Sequence, residues 1–140
     1  MNPLDRFEIL EMIGSGDFAV VYKARDRELG REVAIKQIHQ QFLTQPGRLE
    51  GFWREAQLLA SLEHPCLAGP LGFGRDARTG QDFIARSFVE GIDLSTARAR
   101  WPARKLVPLL AASARSLSTM HRFGLLHRNL KAGNLILRRQ

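Results

Sequence analysis

Apolar and polar positions first follow a period of two. Between Phe7 and Ile38 the runs FEILEMI, AVVYKAR and EVAIKQI are separated by GSGD and DRELGR, both rich in turn formers. Short alternating runs joined by tight turns predict three strands in an antiparallel meander. After Pro46 and Gly47 the period lengthens. In RLEGFWREAQLLASLEH, residues 48–64, Phe52, Ala56, Leu59 and Leu62 recur at spacings of four and three, which predicts one face of a helix. Gly51 weakens its first turn, and His64-Pro65 ends it, because proline pushes the preceding residue out of helical backbone.

Two further strands are predicted in CLAGPLGFGR and QDFIARSFV, joined by the turn DARTG. EGIDLSTARARWPARK is polar and predicts a loop with a short helix, for which Asp93 is a suitable N-cap. A second long helix is expected from Lys105 to Arg122. Leu106, Leu109, Leu110, Ala114, Leu117 and His121 fall near one stripe, Pro108 fits the first turn, and Gly124 is a natural stop. The tail LLHRNLKAGNLILRRQ predicts a loop flanked by short apolar strands, one of them over Leu135, Ile136 and Leu137.

Composition narrows the class. The 140 residues are 44% hydrophobic and 25% charged, an ordinary globular mixture for one folded chain. A single cysteine, Cys66, excludes an internal disulfide and suits a reducing compartment. No apolar run reaches membrane-spanning length, since Pro108 and Ser113 interrupt LVPLLAASA, and no signal-peptide core precedes the first strand. The chain is therefore expected to be cytoplasmic, with no membrane partner. The net charge of +7 raises nucleic-acid binding as a reading. The arginines, however, are scattered (Arg25, Arg54, Arg75, Arg98 and others) and not interleaved with aromatics, which favours a solvated surface.

Candidate chemistry begins with IGSGDFAVV. Ile13, Gly14, Ser15 and Gly16 lie between two predicted strands, whereas a dinucleotide-binding fingerprint needs a helix to open there. A plain β-turn also accounts for the glycines. On the third strand, alternation in VAIK puts Ala34 and Lys36 on one face and Val33 and Ile35 on the other. On the following helix Glu55 sits beside the apolar stripe and is the expected partner of Lys36, with Glu50 and Glu63 as alternatives. Finally, HRNLKAGN sets His127, Arg128, Lys131 and Asn134 at fixed offsets around Asn129.

Taken in order, the glycine turn, VAIK, helix glutamate, His64-Pro65, a long helix and HRNLKAGN resemble the N-terminal half of a protein kinase domain. The likeness runs from Phe7 to Leu137. Lys131 is similar to the serine/threonine type, and the arginine-rich composition to bacterial members. The resemblance implies an α+β, protein-kinase-like fold. A five-stranded antiparallel N-lobe sheet with one helix would occupy residues 1–90, and a truncated helical C-lobe residues 91–140.

It further implies ATP and magnesium as cofactors. Ile13, Gly14, Ser15 and Gly16 would cover the phosphates, with Ala19 where a third glycine is usual. Lys36, oriented by Glu55, would hold the phosphates. Phe88 and Val89 would offer backbone groups to the adenine edge, while Val21 and Ala34 pack on its face. Arg86 would stand at the back of the pocket, where an apolar residue is common. It then turns to Glu55, lies one register off, or compromises purine binding.

Arg128 would hold a phosphorylated activation loop, Lys131 the transferring phosphoryl group, and Asn134 a magnesium ion. Asn129 occupies the position of the family's catalytic aspartate, and a carboxamide has no useful basicity. No Asp-Phe-Gly segment follows Asn134 before Gln140. Together these imply a serine/threonine kinase-like domain that transfers phosphate poorly or not at all. The alternatives are a pseudokinase scaffold using the helix surface around Phe52 and Trp53, and an arginine-rich nucleic-acid binder. The Leu-rich stripe of the second helix is expected to be exposed unless a protein partner covers it.

Overall fold

The computed structural model describes every residue except Glu63, Pro65, Arg128, Asn129 and Gln140, and for Pro46, Glu55, Leu58 and Leu59 it describes the backbone alone. The chain divides into two compact units, Met1–Ser61 with Ala68–Phe88, and Leu62–Leu67 with Val89–Gln140.

In the first unit the alternating runs become β1 (Phe7–Ser15), β2 (Ala19–Asp26) and β3 (Arg31–Ile38), followed by α1 (Pro46–Ala60), β4 (Pro70–Arg75) and β5 (Asp82–Ser87). They form one five-stranded antiparallel sheet in the order β1-β2-β3-β5-β4. The period of two decides which face is apolar. Ala24, Val33, Ile35, Phe83 and Ala85 are essentially inaccessible and pack with Leu4 and Phe7 in a core that Tyr22 and Leu71 border. The short 3-10 turn Pro3–Arg6 delivers Leu4 to that core. Helix α1 is shorter than its pattern, ending at Ala60 and not at His64. The residue before Pro65 resists helical backbone, so the last turn of the apolar pattern unwinds early.

Buried aspartates fasten the turns. Asp26, 1% exposed, accepts Arg6 Nε at 2.9 Å and Nη2 at 2.6 Å, and the amides of Glu28 and Leu29. The left-handed backbone at Gly30 (φ 63°) closes that β2–β3 turn, a conformation cheap only for glycine. Asp76 does the same between β4 and β5, accepting from the Arg78 amide, the Thr79 hydroxyl and Asn2 Nδ2.

The second unit contains β6 (Gly91–Asp93), α2 (Leu94–Ala97), α3 (Ala103–Arg122) and β7 (Ile136–Arg138). Asp93 caps α2 as expected, accepting the Thr96 amide at 2.8 Å and the Ser95 hydroxyl. Strands β6 and β7 pair antiparallel, and the Arg139 amide extends the ladder to the Glu90 carbonyl. One expectation for α3 needs correction. The helix starts at Ala103, so Pro108 falls in its second turn and removes one helical hydrogen bond. Its Leu-rich stripe is largely exposed, as expected. Ser116 and Met120 are buried, whereas Leu109, Leu110, Ala114 and His121 are exposed. A serine can be buried there because its hydroxyl lies 3.1 Å from His64 Nδ1 and 3.2 Å from the Ala112 carbonyl.

Candidate nucleotide site

The face of the sheet opposite the apolar core collects most of the residues singled out in the first unit. Cross-strand neighbours share a face, so the register decides membership. Val21 pairs with Lys36, Lys23 with Ala34, Lys36 with Ile84, and Ala34 with Arg86. Val21, Lys23, Ala34, Lys36, Ile84 and Arg86 therefore stand together, and Gly14, paired with Val21, adjoins them. Val21, Ala34 and Lys36 are each half-buried.

The glycine turn hangs at the end of this face. The Gly16 amide donates to the Ala19 carbonyl at 2.9 Å. His39, just past β3, grips the turn from the side. Its Nε2 lies 2.7 Å from the Gly16 carbonyl, and its amide donates to the Phe18 carbonyl at 2.9 Å. Left-handed glycine backbone occurs at Gly30, Gly80 and Gly124, not at Gly14 or Gly16. A Cβ at Gly14 would meet the Val21 Cβ at 3.9 Å, and one at Gly16 the Ala19 carbonyl oxygen at 3.9 Å, both ordinary contacts. Neither dihedral angle nor internal packing demands glycine at these two positions. Ile13 lies in the register irregularity between Met12 and Gly14 and is 47% exposed, and Ser15 is exposed.

Helix α1 is tied to the sheet by aromatic and polar contacts. Trp53 Nε1 donates to Asp82 Oδ2 at 2.9 Å, and the indole packs edge-on to Phe73 at 5.0 Å. Arg75 Nε donates to the same buried carboxylate at 2.7 Å. Phe52 meets Phe18 at 5.9 Å, and Ala56 is buried. The carboxylate of Glu55 lies outside the described residues, as does Glu63. Glu50 forms an exposed ion pair with Arg54, as an i, i+4 neighbour.

After β5 the chain runs through Phe88 and Val89, both half-buried. The Phe88 amide donates to the Glu32 carbonyl at 3.4 Å, so the amide belongs to the sheet and Phe88 can offer a ligand only its carbonyl. Arg86 is the anomaly of this face. Its Nε is buried with no hydrogen-bond partner among the described residues, and burial pulls its pKa below the usual arginine value. In the same unit, the buried carboxylates of Asp26 and Asp82 each have an arginine.

In the second unit, Lys131 precedes a 3-10 turn, Ala132–Asn134, closed by the Asn134 amide donating to the Lys131 carbonyl at 2.9 Å. Lys131 and Asn134 are exposed, and the segment is anchored by the Leu94 amide donating to the Leu135 carbonyl. Arg128 and Asn129 lie outside the described residues. Among the described residues no three His, Cys, Asp or Glu side chains gather to hold a metal ion. Asn134 contributes one neutral amide oxygen to this turn. No helix among them is long and apolar enough to cross a membrane.

Sequence reasoning missed His39 and the Trp53–Asp82–Arg75 cluster. No local signal marks either one, because the partners meet only through the pairing of β2 with β3, of β4 with β5, and the packing of α1 on the sheet.

Known proteins give this geometry a family. The model of the protein kinase domain matches residues 7–140. The chain is 38% identical over 135 residues to the serine/threonine-protein kinase pkn2 of Myxococcus xanthus, covering 94% of this chain and 16% of that protein. It is 34% identical over 136 residues to the DNA damage-responsive serine/threonine-protein kinase RqkA of Deinococcus radiodurans, with 94% and 20% covered. A crystal structure of the Mycobacterium tuberculosis PknI kinase domain superposes with a TM-score of 0.82 at 26% identity, over 96% of this chain and 55% of that one. The chain thus spans a small part of the curated relatives and about half of the solved domain. With a five-stranded antiparallel sheet and the whole motif order in place, the chain belongs to the protein kinase domain family, in its bacterial serine/threonine form.

Proposed function

We propose that this chain binds a purine nucleoside triphosphate on the Lys36 face of its sheet and transfers phosphate poorly. The observation that carries the reading is the register that groups Val21, Ala34 and Lys36 on one half-buried face beside the glycine turn. Val21 and Ala34 are small and apolar enough to lie against a flat base. The Lys36 ammonium supplies positive charge for phosphate oxygens. Gly14 and Gly16 leave open the space that a Cβ would take, so an anion can approach the backbone closely. The segment at Phe88 and Val89 offers backbone groups to the base edge, the Phe88 amide excepted. A bound triphosphate supplies the transferable phosphoryl group.

Impairment is read from Asn129. Its carboxamide can orient a hydroxyl but cannot take its proton, and losing a general base costs about 10²–10⁴ in rate. Lys131 and Asn134 share one short turn of the second unit, which sets a cation and an amide oxygen close in the chain. Among the described residues no three His, Cys, Asp or Glu side chains gather to hold a magnesium ion, and no step is assigned to one.

Thermal-shift titration with millimolar ATP, ADP and GTP, with and without magnesium, tests the reading. A nucleotide-dependent rise in Tm that Lys36→Met weakens is the expected result. No shift with any nucleotide overturns it.

A further inference from the structure

We infer that His39 is a positioning residue of the glycine turn, holding the Gly16–Asp17 peptide with its carbonyl turned away from bound phosphate. The role rests on the nucleotide reading above.

The Gly16 amide is tied to the Ala19 carbonyl, but the next peptide, Gly16–Asp17, can flip at little cost because Gly16 has no Cβ. Its direction matters to an anion. A carbonyl oxygen facing phosphate repels it, whereas an amide attracts it, and the two ends of a trans peptide point in opposite directions. Whatever holds the Gly16 carbonyl therefore also aims the Asp17 amide.

His39 holds that carbonyl. Its Nε2 lies 2.7 Å away, and because a carbonyl oxygen only accepts, Nε2 is the donor. The ring approaches from the side opposite Lys36. The pairing of Ala19 with Ile38 continues one step further through the bond from the His39 amide to the Phe18 carbonyl. Alternation then groups His39 with Ile35 and not with Lys36, so the Asp17 amide is directed toward the Lys36 side. Aromatic packing steadies the frame around this contact. Phe18 meets the buried Phe42 at 4.8 Å, and the Arg48 guanidinium lies 5.6 Å from the Phe18 ring centre and 4.8 Å from that of Phe42. These contacts fix the far end of the turn and leave the Gly16 peptide for the imidazole to set.

Isothermal titration of the unaltered chain, His39→Leu and His39→Gln with ATP and with adenosine, which has the base but no phosphate, tests the role. Leucine removes the donor, and glutamine returns an N–H at similar reach. The bond to Phe18 survives both changes, since it uses the His39 backbone amide. Expected is ATP binding about tenfold weaker in His39→Leu with adenosine binding unchanged, and ATP affinity back to within about threefold in His39→Gln. Equal losses for ATP and adenosine, no loss for ATP, or no recovery with glutamine overturns the positioning role and leaves the nucleotide site standing. No binding of either ligand to the unaltered chain overturns the site and this role with it. Nitrogen-15 spectra of the unaltered chain should show Nε2 carrying its proton in the ATP complex. An unprotonated Nε2 overturns the hydrogen bond even if neither variant folds.

Discussion

Trp53 on α1 and Asp82 on β5 are joined by a 2.9 Å hydrogen bond from the indole Nε1 to a carboxylate that is 1% exposed. Helix α1 has two glycines, Gly47 and Gly51, in its first two turns and no acidic residue in its first turn, so its own sequence does little to fix its place. The anchor comes from the sheet.

Replacing that donor tests the anchor. Trp53→Phe keeps an aromatic ring near Phe73 but removes the N–H. The expected loss is about 1–2 kcal/mol, with Arg75 still neutralising Asp82. Urea denaturation measures it. A loss within error would show that ring packing alone holds the helix.

Acid should loosen the β2–β3 turn. The Arg6 guanidinium, with the Glu28 and Leu29 amides, lowers the Asp26 pKa from 3.8 to about 2. The folded pKa lies below the unfolded one, so this stabilisation is complete above about pH 4. It fades as pH falls from there toward 2. Asp26→Asn should flatten that part of the Tm-against-pH curve, and an unchanged acid limb would contradict the assignment.

Gly91 has no room for a side chain. A Cβ there would lie 2.1 Å from the Leu137 carbonyl oxygen, which is backbone and cannot swing away. Gly91→Ala should separate β6 from β7. Hydrogen exchange would then accelerate at the Arg139 and Leu94 amides, while those of β2 and β3 keep their protection. Retained protection at Arg139 would show that the strand accommodates the methyl group.

Asn129→Asp addresses catalysis. In a protein whose sequence continues through an Asp-Phe-Gly segment, restoring the proton acceptor should raise turnover by about 10²–10⁴. A radiolabelled phosphate-transfer assay reads it out. Equal rates would mean that position 129 does not limit the reaction.

Much of this was legible in the residues. The alternation in VAIK put Val33 and Ile35 in the core and Ala34 and Lys36 opposite, since a strand has only two faces to choose between. Asp93 was readable as a cap because capping is local. The inward face of α3 was not. It includes Ser116, whose hydroxyl meets His64, a residue far away in sequence, so no local pattern marks it. The unpaired state of Arg86 was likewise hidden. Sequence placed the arginine, but only the register of β3 against β5 shows what surrounds it.

The β6–β7 ladder joins residues 91–93 to residues 136–138, with α2, α3 and the Lys131–Asn134 turn enclosed between them. Its contact order is therefore high, and closing so long a loop comes late in folding. During synthesis the second unit must wait for Arg138 to leave the ribosome before its small sheet can zip, whereas the β1–β3 meander can already form. A protease that nicks the chain just before Ile136 should thus release the Gly91 edge at once, while the five-stranded sheet is left whole.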